Sequence, residues 1–141
     1  MEKNPVIELR NVAVFHSSKP GSTNPKRRGE MVVSDVNLTV NEGEMVYFIG
    51  KVGSGKSSLI KTLYAELPLF EGEGRIVGFD LRHMKRRDIS RLRRSIGIVF
   101  QDYQLLTDRD VFGNLHYVMK ATGWKDETAI RKRIAEVLAV A

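Results

Sequence analysis

Eight consecutive residues carry the clearest chemistry in this sequence: Gly50-Lys51-Val52-Gly53-Ser54-Gly55-Lys56-Ser57. They satisfy every fixed position of the phosphate-loop pattern G-x-x-x-x-G-K-[ST]. Glycines at 50, 53 and 55 let the backbone turn tightly enough for successive N–H groups to point inward. That forms an anion nest at a helix N-terminus, which carries a partial positive charge. Lys56 is then placed to reach the β- and γ-phosphates of a nucleoside triphosphate, and the Ser57 hydroxyl to ligate Mg²⁺. Ser58 can donate to the α-phosphate. A guanine reader of the form Asn-Lys-x-Asp is absent, because none of the six asparagines stands in that context. A second polar residue of interest, Gln101, ends the apolar run Ile96-Gly97-Ile98-Val99-Phe100, from where a side chain can reach a Mg²⁺ ion or its water across a phosphate site.

Such a loop needs a buried strand before it and an amphipathic helix after it. Met45-Val46-Tyr47-Phe48-Ile49 is apolar without alternation, the pattern of a strand buried on both faces of a parallel sheet. Leu59, Ile60, Leu63 and Leu67 recur at helical spacing behind the loop. Upstream, Val6 to Phe15 and Met31 to Val40 read as strands, separated by a basic loop over 16–30 of flexible composition and followed by turn chemistry at Asn41 to Glu44. Arg75 to Phe79 and Ile96 to Phe100 are further strand candidates, with a basic helix or loop between them. Two closing helices are expected on either side of Gly123 and Trp124. The first turns Val111, Leu115, Val118 and Met119 inward; the second turns Ile130, Ile134, Val137 and Leu138 inward and is capped by Asp126. Strands followed by helices around a phosphate loop point to an α/β fold.

The chain has 141 residues and a mass of 16.0 kDa, the size of one domain with one core. Apolar residues make up 42% and charged residues 28%, a balance that permits a core and argues against disorder. A net charge of +6 and a pI near 9.7 favour anionic partners. The absence of cysteine excludes disulfides, thiolate metal sites and thiol catalysis. His16, His83 and His116 have no ligand spacing that would link them in a metal site. The N-terminal stretch lacks an apolar signal segment, and no apolar run approaches the length of a membrane span.

Three segments, VIELRNV at 6–12, LTVNEGEMVYFIGKVGSGKSSLIKTL at 38–63 and LRRSIGIVFQD at 92–102, together resemble the nucleotide-binding domain of ABC ATPases. Within that family, the continuation from Tyr103 to Val111 resembles the FtsE type of cell division. The resemblance implies an α/β P-loop NTPase fold with an N-terminal antiparallel β portion and the start of a helical subdomain, incomplete. Residues 1–141 would be the N-terminal portion of one ATP-binding domain, with the P-loop at 50–57, a Q-loop at 101–112 and subdomain helices over 110–141. It also implies ATP and Mg²⁺ held by Gly50, Lys51, Val52, Gly53, Ser54, Gly55, Lys56, Ser57 and Ser58, with Gln101 touching the metal and the active-site water. Residues 102–112 would meet an integral membrane partner, FtsX-like for this type, at the cytoplasmic face of the inner membrane, with two such domains pairing in the full-length protein. The family stacks an aromatic ring on adenine near the end of the first strand; here that residue is Phe15 or His16.

Hydrolysis needs a metal-binding Asp and usually a Glu beside the γ-phosphate. Asp80 and Asp102 each follow an apolar run, yet neither precedes a Glu, and both come before the point where the resemblance puts that strand. No LSGGQ-like segment and no later switch histidine are present, so no catalytic residue is assigned. The chain ends within a helical pattern, with no Gly or Asn stop after Val137 and Leu138, and is expected to be part of a longer domain. As a separate chain it is expected to bind nucleotide without turning it over. A rival class of function rests on the segment 82–94, with seven Lys or Arg against one Asp, and on Lys26 to Arg28. These clusters suit nucleic acid or an anionic membrane surface. No aromatic residue lies between Phe79 and Phe100 to stack on bases, so no nucleic-acid partner is expected, while contact with anionic lipid fits the first reading.

Overall fold

A computed structural model describes residues 4–17 and 28–141, which divide into two compact units, one up to Gly97 and the other from Ile98 onward. In the first unit, strand β1 (Pro5–Ser17) pairs antiparallel with β2 (Arg28–Asn41) on one side and with β3 (Glu71–Ile76) on the other. A short β4 (Phe79–Asp80) completes the order β2-β1-β3-β4. Helix α1 (Lys56–Leu63) follows the phosphate loop, and α2 (Arg86–Ser95) follows β4.

The β-branched, alternating run of β1 accounts for its central position. Leu9, Val12 and Val14 are buried in one cluster, although strict alternation from Leu9 would turn Asn11 inward. A bulge absorbs the mismatch: the ladder shifts between Leu9 and Val12, and Asn11 sits at φ 49° with its N–H donating to Asn37 Oδ1 at 2.9 Å. On the neighbouring strand, Gly72 at φ +85° passes so close to this bulge that a Cβ there would lie 2.5 Å from the Asn11 carbonyl oxygen, which only glycine avoids. Leu59 and Leu63 of α1, Leu69, Ile76, Leu81 and Leu92 of α2 close the core over β1. Each buried leucine contributes about 1.5–3 kcal/mol of transfer free energy.

Several sequence expectations change. The strands run into the expected 16–30 loop from both sides, pairing Ser17 with Arg28, because the β1–β2 ladder continues past Phe15 and Met31; residues 18–27 lie outside the described residues. Arg75 to Phe79 is not one strand but the bend of the β3–β4 hairpin, in which Val77 (φ 42°) and Gly78 (φ 82°) form a two-residue turn with both φ values positive. Met45 to Ile49 is not a strand: Met45 is 81% and Ile49 94% exposed, and no strand among the described residues pairs with it. Ile96 to Phe100 is likewise without strand structure, for the same lack of a ladder partner. The described sheet is accordingly antiparallel throughout. Helix α1 ends before Leu67, at Tyr64 and a left-handed Ala65 (φ 57°).

The second unit holds α3 (Val111–Ala121) and α4 (Glu127–Leu138). Asp110 caps α3 by accepting from Gly113 N–H at 2.6 Å, and the Asn114 amide ties Leu106, Arg109 and Asp110 to that helix start. Asp126 caps α4 as the sequence indicates, accepting from the amides of Thr128 and Ala129. Ile130 and Ile134 are buried, whereas Val137 and Leu138 are exposed. On α3, Leu115 and Met119 are half-buried and Val111 and Val118 exposed, because one helical neighbour covers a stripe and not a whole face. Glu127 links the two helices, its carboxylate 2.8 Å from both Lys120 Nζ and His116 Nε2. These partners hold its pKa down at about 2, with Lys120 the larger cause.

Candidate functional site

The phosphate loop folds as its glycines require. Gly53 and Gly55 adopt φ +82° and +87°, a region that L side chains rarely enter, and Ser54 N–H donates to the Lys51 carbonyl at 3.2 Å. The first helical bond of α1 runs from Leu59 N–H to Gly55 O at 2.9 Å. Gly55 caps the helix with no side-chain acceptor, and no acidic residue stands in the first turn. The leading N–H groups of α1 therefore keep both their donors and their partial positive charge available to an anion. A Cβ on Gly55 would lie 3.0 Å from Val32 Cγ1 and 3.2 Å from Val33 Cβ, so this glycine also lets the loop press against β2.

Lys56 arches back over the loop, its Nζ donating to the Gly50 carbonyl at 2.7 Å and the Lys51 carbonyl at 2.8 Å, with Ser54 Oγ at 3.4 Å. The ammonium is thus held against the loop by the loop's own carbonyls. Val52 is fully exposed, at 104% of the reference area, so the loop has its backbone and not this side chain to offer a ligand. Ser57 is exposed and Ser58 buried, the latter with its carbonyl accepting from Thr62 Oγ1 at 3.0 Å. An open concavity of about 440 Å³ lies beside the loop, lined by Val33, Phe48, Gly50, Ser54, Lys56 and Leu59 among others. Donors at the helix start, a cation held against the loop and a free hydroxyl one residue on suit a polyphosphate and its Mg²⁺.

The first unit brings together every residue from Gly50 to Ser58, while Gln101 belongs to the second, exposed in a turn over 101–104. Asp102 is exposed in the same turn, which passes through left-handed Tyr103 and Gln104. Phe15 is 6% exposed, its ring edge-on to Phe70 at 6.2 Å, and so is engaged in the core. His16, the other candidate for an adenine contact, is exposed. Asp80 is on β4, the sheet edge opposite the β2 strand that the loop abuts. Its carboxylate pairs with His83 Nδ1 at 3.0 Å and accepts from the amides of Arg82 and His83, all of which hold its pKa below the usual carboxylate value.

One supporting residue escaped the sequence reading. Arg93 donates from Nε to the Tyr64 carbonyl at 3.1 Å and from Nη2 to the Ala65 carbonyl at 3.3 Å, placing a cation on the last carbonyls of α1. Beside it, Tyr64 donates to Glu66 at 2.6 Å; burial first, and then this bond, push the phenol up to about 12. The helix that carries the loop is thus held at its far end by a residue hidden in a run of like charges, whose only sequence signal is its place next to the inward Leu92.

A glycine-rich turn closed by a lysine at the uncapped head of a helix has the form of a phosphate-binding loop of the nucleotide-binding kind. The family model for ABC transporters matches residues 33–140, and the chain belongs to that family of ATP-binding cassettes. It is 35% identical over 133 residues to the cell division ATP-binding protein FtsE of Streptococcus pneumoniae, which covers 94% of this chain and 53% of that protein. It is also 37% identical over 112 residues to the methionine import ATP-binding protein MetN of Legionella pneumophila, covering 79% of this chain and 33% of MetN. The ATP-binding cassette MJ0796, solved as a dimer in a post-hydrolysis state bound to ADP and Pi, superposes with a TM-score of 0.75 at 26% identity, covering 94% of this chain and 56% of MJ0796. The chain spans about half the length of the FtsE relative it matches. Its fold is that of a P-loop NTPase cassette.

Proposed function

We propose that this chain is the nucleotide-binding part of an ATP-binding subunit of the FtsE type, which couples an ATP cycle to an integral membrane partner at the cytoplasmic face. The observation that carries the reading is Lys56 held on the Gly50 and Lys51 carbonyls at the uncapped start of α1. ATP would place its β- and γ-phosphates there, Ser57 would ligate Mg²⁺, and His16, with its ring in solvent, would lie against adenine. Gln101 would join the metal from the Q-loop at 101–112, and residues 102–112 would meet an FtsX-like partner, with 110–141 beginning the helical subdomain. No helix among the described residues is long and apolar enough to cross a membrane.

Turnover is not proposed for these 141 residues by themselves. Asp80 is committed to His83 at the far sheet edge, and no signature segment stands in the chain to complete a shared site with a second copy. Equilibrium dialysis against ATP with and without Mg²⁺ tests the assignment: Mg²⁺ should tighten binding to the wild type, and Ser57→Ala should remove most of that gain, with no phosphate release from either. Sustained phosphate release would overturn the incomplete-site reading, and Mg²⁺ dependence that survives Ser57→Ala would overturn the metal assignment. The MetN likeness supports a second reading, the ATP-binding subunit of an importer. Co-purification with an FtsX-type protein or with an importer's membrane subunit separates the two.

A further inference from the structure

Helix α2 turns its apolar side to the core and presents a face of arginines to solvent. At about 100° per residue, Arg86, Arg87, Arg91 and Arg94 fall within an arc of about 140°, roughly opposite the buried Leu92. All four are exposed, the side chains of Arg87 and Arg91 by 78% and 71%. Arg93, off that arc, is turned back onto the Tyr64 and Ala65 carbonyls. The single acid of the helix, Asp88, accepts from the Lys85 amide at 3.2 Å and so holds the helix start, at 3.8 to 4.0 Å from Arg91 and Arg87. The fold therefore uses one arginine of the helix for structure and leaves four on one face, with Asp88 the one acid among the described residues that pairs with them.

We propose that this face of α2 docks on an acidic bilayer surface, the arginines gripping lipid phosphates while the nucleotide site works beside a membrane partner. The inference rests on the membrane-coupled reading above. Arginine offers planar, paired donors that match a phosphate, and its weak hydration lets it enter the headgroup layer. A cluster of four to eight basic side chains on a helix is the pattern that anionic leaflets attract. A nucleic acid is the less favoured occupant, because no Phe, Tyr or Trp lies between Phe79 and Phe100 for stacking, α2 has no Asn or Gln for base edges, and the one nearby ring, His83, is paired with Asp80.

The test is flotation of the chain with vesicles of pure phosphatidylcholine and of mixed phosphatidylcholine and phosphatidylglycerol. The variant carries Arg86→Gln, Arg87→Gln, Arg91→Gln and Arg94→Gln together; glutamine retains helix propensity and removes only charge. Binding to the acidic vesicles should fall at least about tenfold in the variant and fall with added salt in the wild type, with little binding to the neutral vesicles. The variant should keep its helical circular dichroism and its Mg²⁺-ATP binding, so a failed nucleotide assay in both proteins would count against the cassette reading and not against this one. If the fourfold variant does not fold, the pair Arg87→Gln and Arg91→Gln is used with the same readouts. Absence of binding to acidic vesicles, equal binding to neutral ones, retention after the substitutions, or displacement of the vesicles by a short RNA duplex would each overturn the proposal.

Discussion

Glycines 53 and 55 look alike in sequence and differ in what surrounds them. Both sit at positive φ, yet a side chain at Gly53 meets open space while one at Gly55 meets Val32 and Val33 at 3.0 to 3.2 Å. Gly53→Ala should therefore cost only the backbone penalty, about 1–2 kcal/mol. Gly55→Ala should cost more and should also lift the loop from β2, weakening nucleotide binding; comparative denaturant titration and nucleotide binding of the two variants check this. At this scale the sequence was most legible for the loop itself, because its requirements are local: glycine torsions, a helix start, a lysine at the first helical position. It was silent on whether Phe15 or His16 faces solvent, since that depends on Phe70, a residue 55 positions away in the chain.

Among the elements, local signals again held where neighbours in sequence did the work. The Asp126 cap, the inward Ile130 and Ile134 and the existence of β1 could be read directly, though not the bulge at Asn11 that breaks its alternation. The β3–β4 hairpin could not, because its turn places Val77, a β-branched residue, at a positive φ that sequence patterns assign to Gly or Asn. The runs 45–49 and 96–100 carry the apolar composition of central strands, but composition supplies no ladder partner. The link between α3 and α4 makes a pH prediction. Glu127 has its pKa lowered to about 2 from a reference of 4.5, so the ionised carboxylate is the form that the fold favours. Its contribution is fully present above about pH 4.5 and is lost as pH falls from there toward 2. An NMR titration of the Glu127 side chain should show the low midpoint in the wild type and a shift toward the ordinary value in Lys120→Ala.

For the molecule as a whole, the exposed apolar run from Met45 to Ile49 leads straight into the phosphate loop. Backbone groups that make no ladder and side chains left in water add nothing to the folding free energy, and they offer an edge for association. We propose that this run becomes a sheet strand only beside further strands of a complete cassette, in keeping with relatives about twice as long as this chain. The 141-residue chain should accordingly melt at low temperature with weak cooperativity, and Mg²⁺-ATP should raise the transition by mass action. A sharp, high-temperature transition without ligand would contradict that view. The central claim is that a competent nucleotide site exists in this half-length chain, and calorimetric titration of Mg²⁺-ATP into wild type and Lys56→Ala tests it most directly. The account predicts saturable binding to the wild type and a loss of about 1.5–3 kcal/mol, tenfold or more in affinity, when the lysine is removed. Equal affinity in the two proteins would contradict it.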